Sequence, residues 1–262
     1  MEIYKDKTIL ITGASSGIGE AFALQLNQLG ARLILTARSK NKLEELASKM
    51  NNAIVIDGDL SDKSFPDHLY NEIISRKIEV DILINNAGFG FSGLFLESDK
   101  KNYEEMLNLN IYSLTALTHL FLKDMVARKS GGIINVSSLA SFQPIPFFAV
   151  YAATKSYVTS FTTAIHEEYS NKGINILGVC PGYTKTNFNK RAKISSQSMP
   201  GYTMSSDTVV KQSLRAFEKK KYIIITGKIN SFAKFITSVL PQKWSLKMTK
   251  SIIKKGIGKN KW

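Results

Sequence analysis

The chain alternates two kinds of apolar pattern. Short β-favouring runs occur at Thr8–Thr12, Arg32–Ala37, Ala53–Asp57, Asp81–Ile84, Gly132–Val136, Ile174–Cys180 and Tyr222–Thr226. Several end in Gly, Asn, Asp or Pro, so each predicts a strand. Between them, apolar residues recur at helical spacing: through Ala21, Leu24 and Leu29, over Lys40–Lys49 and Phe65–Arg76, from Asp99 to about Met125, and over Ala149–Tyr169 and Asp207–Glu218. Strand and helix in strict alternation imply a parallel sheet covered by helices on both faces, with right-handed crossovers. The expected fold class is α/β, a doubly wound parallel sheet of about seven strands. Residues 1–227 form one domain, and 228–262 form a helical extension of it. Asn187–Ser206 has no periodicity and reads as a loop covering a substrate.

The composition narrows this picture. A length of 262 residues suits a single large domain with a sizeable core. Cys180 is the one cysteine, so no intrachain disulfide forms and no Cys-rich zinc site is built. His68, His119 and His166 are scattered without metal spacing, and no metal is expected. Met1–Lys7 lacks the apolar core of a signal peptide, and no run of about 18 apolar residues predicts a spanning helix. The expected setting is cytoplasmic.

The net charge is +14, but its distribution matters more than its size. From Lys219 to Trp262 there are twelve Lys and no Arg, Asp or Glu, while the first 218 residues are close to neutral. The basicity is therefore local and gives no general reason to expect a nucleic-acid partner. In the same tail Phe232, Phe235, Ile236, Val239 and Leu240 repeat at i, i+3, i+4, i+7, i+8. Pro241 interrupts, and Trp244, Met248 and Ile252 then recur every four residues. Two readings stand. The helices close a pocket or a subunit interface with Lys in water, or they lie on anionic lipid as a peripheral membrane contact.

Chemistry concentrates at strand ends. The first strand runs into Gly13-Ala-Ser15-Ser16-Gly17-Ile18-Gly19 and then a helix. Glycines allow a tight turn and close approach of a pyrophosphate, and the helix N-terminus offers free N–H groups. No acidic residue follows the second strand. Arg38 stands there, and its guanidinium suits a ribose 2′-phosphate, so NADP(H) is expected rather than NAD(H). The fifth strand ends in Ser137-Ser138, and thirteen residues later comes Tyr151-Ala-Ala-Thr-Lys155. Four residues apart on a helix, Tyr151 and Lys155 share a face. An ammonium about 4 Å away would favour the phenolate by roughly 4 kcal/mol at an effective dielectric near 20, bringing the tyrosine toward working pH. Taken alone, the pair is more often an ordinary solvated face. Asn110 lies among apolar residues and needs partners.

Taken in order, Thr12-Gly13-Ala-Ser-Ser-Gly17-Ile-Gly19, Asn85-Asn86-Ala87-Gly88, Asn110, Ser138, Tyr151-x-x-x-Lys155 and Pro181-Gly182-x-x-x-Thr186 resemble the single-domain short-chain dehydrogenase/reductase family over roughly residues 5–227. The resemblance implies a Rossmann-type fold and interconversion of a carbonyl with an alcohol. Tyr151 would be the acid/base, with Lys155 tuning it and holding the nicotinamide ribose. Ser138 would bind the substrate oxygen, and Asn110 would anchor a water of the proton relay. Gly13, Ser15, Ser16, Gly17, Ile18 and Gly19 would line the pyrophosphate, and Asp59 and Leu60 the adenine. Asn86, Ala87 and Gly88 would lie along the adenosine ribose. Pro181, Gly182, Thr184 and Thr186 would hold the carboxamide. Family members are often homodimers or homotetramers. Phe89, Phe91, Phe142, Phe147, Phe148 and Tyr183 suggest an apolar pocket for a small-molecule carbonyl or alcohol. The rival readings are an epimerase or dehydratase, and a non-catalytic NADP(H)-sensing or scaffold protein.

Overall fold

All seven apolar runs become strands, and all pair in parallel. They are β1 (Thr8–Thr12), β2 (Arg32–Thr36), β3 (Ala53–Val55), β4 (Ile82–Asn85), β5 (Gly131–Val136), β6 (Ile174–Cys180) and β7 (Ile223–Ile225). Their order in the sheet is β3-β2-β1-β4-β5-β6-β7. The structure is a computed structural model and describes residues 1–188, 192 and 203–257. Most of the loop expected at Asn187–Ser206 lies outside the described residues.

Alternation along the strands divides the core in two. Ile9, Ile11, Leu33, Leu35 and Ile84 pack toward α1 (Gly17–Gln28) and α7 (Ser206–Glu218). Leu10, Ile34, Leu83 and Ile133 pack the other way, with α3 (Phe65–Ser75) and α5 (Leu114–Ala127). Burial on both faces is why the strands read as continuous apolar runs. Asn85 and Asn135 stand opposite each other on β4 and β5. Asn85 Nδ2 donates to Asn135 Oδ1 at 2.9 Å, and Asn135 Nδ2 donates to Thr162 Oγ1 at 3.0 Å. These bonds offset the cost of burying amides.

Two further helices are α2 (Lys40–Ala47) and α6 (Ala149–Tyr169). The long helix expected from Asp99 to Met125 is instead three pieces: α4 (Lys100–Leu107), a π-helical turn (Asn108–Ser113) and α5. The wider turn lets Asn110 and Ser113 both face inward, at 0% and 1% exposure. The Ser113 hydroxyl donates to the Leu60 carbonyl. Apolar periodicity does not register one inserted residue, which is why the pattern reads as one helix. The tail forms α8 (Lys228–Val239) and α9 (Gln242–Ile257), separated at Pro241 as expected.

The strand order reverses between β1 and β4. The chain leaves β1 toward β2 on one side and β4 toward β5 on the other. A crevice opens beyond the carboxyl ends of these strands, and the singled-out residues collect there.

Candidate active site

One end of the crevice is built from β1 and α1. Gly13 and Gly17 have φ of +65° and +64°, a region that side chains disfavour. A Cβ on Gly13 would stand 2.9 Å from Ala87 Cα. Thr12 Oγ1 accepts the N–H groups of Asn86 and Ala87 at 3.0 and 2.9 Å. Asn86 Nδ2 donates back to the carbonyls of Thr12 and Gly13 at 2.9 and 3.2 Å. The turns after β1 and β4 are thus laced together, and α1 starts beside them at Gly17. Its first N–H groups supply a partial positive charge there.

The other end centres on α6. Tyr151 and Lys155 lie on one face, as expected, but both are buried, at 7% and 4% exposure. The Tyr151 ring packs between Phe148 and Phe188, at centroid distances of 4.5 and 5.3 Å. Ser138 caps the short helical turn after β5, where its hydroxyl accepts Ala140 N–H at 3.1 Å. It also lies near enough to the Tyr151 hydroxyl to favour that group's ionised form. Ser137 turns away, donating to the Lys155 carbonyl at 2.9 Å. Asn110 donates to the Phe89 carbonyl at 2.9 Å and to Thr154 Oγ1 at 3.1 Å, and it accepts Phe89 N–H at 3.1 Å. Thr154 Oγ1 in turn donates to the Tyr151 carbonyl at 2.7 Å. Asn110 therefore ties the π turn to the backbone that carries Tyr151.

The expected tuning of Tyr151 by Lys155 is not what this geometry gives. Lys155 Nζ lies 5.9 Å from the Tyr151 ring centroid and donates to the Val136 carbonyl at 2.9 Å. Burial pushes Tyr151 up to about 12, with Ser138 pulling the other way. Burial pulls Lys155 down to about 8. Enclosing two ionisable groups in one apolar site costs each its charged form, and at this separation their attraction does not offset that cost.

This shift makes a testable statement about stability. Between about 8 and the ordinary 10.5, the folded chain carries fewer protons on Lys155 than the unfolded chain does. Stability should therefore rise with pH across that window. From pH 8 to 10 the lysine contributes up to about 2 kcal/mol. Cys180 and Tyr151, both pushed up by burial, act in the opposite sense above their ordinary values. The measurement is accordingly a difference. Urea unfolding at pH 8 and 10 should show Lys155→Met losing stability relative to the parent as pH rises. Parallel profiles would refute the buried, half-neutral lysine.

One cavity of about 1150 Å³ joins the two ends. Its wall includes Gly13, Ser15, Ser16, Gly17, Ile18, Arg38, Asp59, Leu60, Asn86, Ala87 and Gly88. It continues through Ser138, Tyr151, Lys155, Pro181, Gly182, Thr184 and Thr186. Gly19 and Asn110 are the two expected site residues that do not reach it. A Cβ on Gly19 would meet the Gly13 carbonyl at 2.3 Å, so this glycine lets α1 pack on the turn. Asn110 sits behind Gly88, where an added Cβ would stand 3.1 Å from Asn110 Oδ1 and 3.3 Å from Lys155 Nζ. Of the aromatic residues expected around a pocket, Phe89, Phe148 and Tyr183 line the cavity. Phe91 and Phe147 border a smaller neighbouring groove, and Phe142 lies under Lys234.

Sequence reasoning placed Thr12 in the glycine motif without a role and passed over Lys42 and Gln143. Thr12 ends a strand and looks like any β-branched residue. Lys42 lines the cavity beside Arg38 but reads as a helix surface lysine. Gln143 lines it too, and its Oε1 accepts from Ser245 of α9 at 2.7 Å, a contact spanning 102 residues. The tail was expected to close a pocket or to lie on lipid. It does wall the cavity, through Ile229, Phe232, Ile236, Met248 and Ile252 among others.

The two glycines without room for a side chain, the helix N-terminus and the long cavity suit a dinucleotide. The family description "short chain dehydrogenase" matches residues 7–196. The chain belongs to the short-chain dehydrogenase family. An uncharacterized oxidoreductase from Staphylococcus epidermidis is 32% identical over 202 residues, covering 74% of this chain and 88% of that one. The very-long-chain 3-oxoacyl-CoA reductase of Rattus norvegicus is 32% identical over 235 residues, covering 85% and 74%. A short-chain dehydrogenase from Sphingobium yanoikuyae in complex with NADPH superposes with a TM-score of 0.80 at 28% identity, covering 90% and 97%. This short-chain dehydrogenase is accordingly an oxidoreductase acting on CH–OH/C=O with a nicotinamide dinucleotide. Among the described residues no helix is long and apolar enough to cross a membrane, and no cluster suits a metal.

Proposed function

We propose that the protein interconverts a carbonyl and an alcohol on an apolar, lipid-like substrate, with NADP(H) as its cofactor. One observation carries this reading: the Tyr151 hydroxyl, Ser138 and Lys155 meet in a cavity that starts at the glycine turn and ends between apolar side chains. When bound, the nicotinamide supplies or accepts the hydride. Tyr151, neutral at working pH in its buried site, gives its hydroxyl proton to the substrate oxygen during reduction and takes it back during oxidation. Ser138 Oγ holds that oxygen beside the Tyr151 hydroxyl and stabilises charge as it develops. Lys155 restores the proton of Tyr151 and holds the ribose side of the cofactor. Asn110 fixes the backbone on which Tyr151 stands and anchors the water that continues the relay. Phe148 and Phe188 exclude bulk water from the reacting oxygen.

Arg38 and Lys42 support the NADP(H) preference. Both line the cavity at the end of β2. Arg38 Nη1 lies 3.7 Å from Asp59 Oδ2, and both side chains are about half exposed. Such a pair contributes little and yields readily to a phosphate dianion. The apolar wall supports the substrate class, as does the similarity to a very-long-chain 3-oxoacyl-CoA reductase. NADPH consumption with a series of ketones and 3-oxoacyl thioesters of increasing chain length tests both parts. Turnover should rise with chain length, and Arg38→Asp should lower the NADPH/NADH selectivity at least tenfold. Selectivity unchanged by Arg38→Asp would remove the cofactor assignment. A preference for short polar ketones would remove the substrate class.

A further inference from the structure

Helices α8 and α9 are turned inside out. The face of a surface helix that packs on the core is normally its apolar one. Among the described residues of α9 the buried ones are Ser245 and Thr249, each at 5% exposure, while Trp244 stands out at 67%. In α8 the buried residue is Asn230, whereas Phe232, Phe235 and Val239 are 63%, 58% and 62% exposed. The loop after β4 adds Leu94, Phe95 and Leu96, all exposed, and Leu94 and Phe95 share a groove with Lys250 of α9. Scattered exposed apolar residues are ordinary, but a continuous patch on three neighbouring segments is not.

The charges around the patch choose what covers it. Lys228, Lys243, Lys247, Lys250 and Lys254 are exposed on the same two helices. No Asp or Glu occurs anywhere from Lys219 to the end of the chain. A second copy meeting this face through a two-fold axis would set the lysines of α8 and α9 against each other, with acids only at the edge of the loop, at Glu97 and Asp99. Nucleic acid would satisfy the lysines but not Phe235, Val239 and Trp244. A bilayer with anionic headgroups satisfies both, since apolar side chains enter the acyl boundary and lysines meet the headgroups. The length and hydropathy of the described helices suit lying on a membrane rather than crossing it.

We propose that α8, α9 and the 94–96 loop form a docking face for an anionic lipid membrane, and that the cavity opens within this face. Four residues serve both surfaces. Ile229, Phe232, Met248 and Ile252 line the cavity and are exposed on the patch. An amphiphile in the bilayer then enters the site without passing through water. This entry route builds on the proposed substrate class, while the docking itself does not.

The test uses the full chain and vesicles of phosphatidylcholine, with or without one quarter phosphatidylglycerol. The chain has two Trp, so a Trp262→Phe background leaves Trp244 as the reporter. Co-sedimentation with anionic vesicles is expected, together with a blue shift of Trp244 emission. Both should weaken strongly in 0.5 M salt and with neutral vesicles. Leu96→Ser with Phe235→Ser replaces two exposed residues that do not line the cavity. This variant should bind anionic vesicles at least tenfold more weakly while keeping its melting temperature and its turnover of a water-soluble ketone. Absence of vesicle binding overturns the proposal, as does equal binding by the variant. Trp244 emission already blue-shifted without lipid and unchanged by it also overturns it, because protein then covers the face. Vesicle binding is read without turnover, so its failure is distinct from failure of the proposed reaction.

Discussion

Tyr151→Phe should lower carbonyl-dependent NADPH consumption by about a thousandfold, the scale of a lost general acid. Affinity for NADPH should stay within a few-fold of the parent. The geometry predicts this separation. The ring of Tyr151 is held by Phe148 and Phe188, contacts that a phenylalanine keeps. What disappears is one hydroxyl beside Ser138. Burial already holds that hydroxyl in its protonated form, so the variant forfeits a proton donor rather than a charge. Cofactor affinity by fluorescence titration and single-turnover rates by stopped flow separate the two quantities. A variant that reduces its substrate at the parental rate would remove Tyr151 from the mechanism.

Gly19→Ala should cost both folding stability and cofactor affinity, the latter by at least a hundredfold. The new methyl group would lie 2.3 Å from the Gly13 carbonyl oxygen and 2.5 Å from Asn86 Nδ2. The first obstacle is backbone and cannot rotate away, so α1 must withdraw from the turn. Overpacking of this kind costs roughly 1–3 kcal/mol, and the hydrogen bonds from Asn86 to the turn go with it. Gly30→Ala serves as the control. Gly30 also has positive φ, at +80°, but an added Cβ meets nothing closer than Lys5 Cγ at 3.4 Å. That variant should lose about 1 kcal/mol of stability with no change in cofactor affinity. Equal affinities in the two variants would show that the packing of α1 on the turn does not shape the site.

Much of this molecule is legible in the residues themselves. The sheet follows from alternation alone, because a strand buried on both faces has no other use for runs such as Ile9-Leu10-Ile11. Glycine spacing locates the tight turn after β1 because Gly13 and Gly17 need a backbone region that side chains disfavour. Three features escape such reading. The π turn at Asn108–Ser113 escapes because one inserted residue barely disturbs an apolar period. The ionisation of Tyr151 and Lys155 escapes because helical spacing gives their proximity but not their burial, and burial dominates both groups. The outward face of α8 and α9 escapes because an amphipathic pattern says that a helix has two sides, not which side meets the core.

Strand order has a consequence for how this enzyme comes into being. The two central strands, β1 and β4, are neighbours in space but are separated by β2, β3 and their helices along the chain. Gly13 and Tyr151 reach one cavity although β2, β3, β4 and β5 lie between them along the chain, so the site rests on contacts distant in sequence. Contacts of that kind close late and slowly in folding. A chain still emerging from the ribosome, with β1 and β2 made but β4 not yet available, exposes one edge of β1 and has no crevice to offer a cofactor. Catalysis therefore has no half-built intermediate. The first turnover waits until β4 and β5 have paired beside β1.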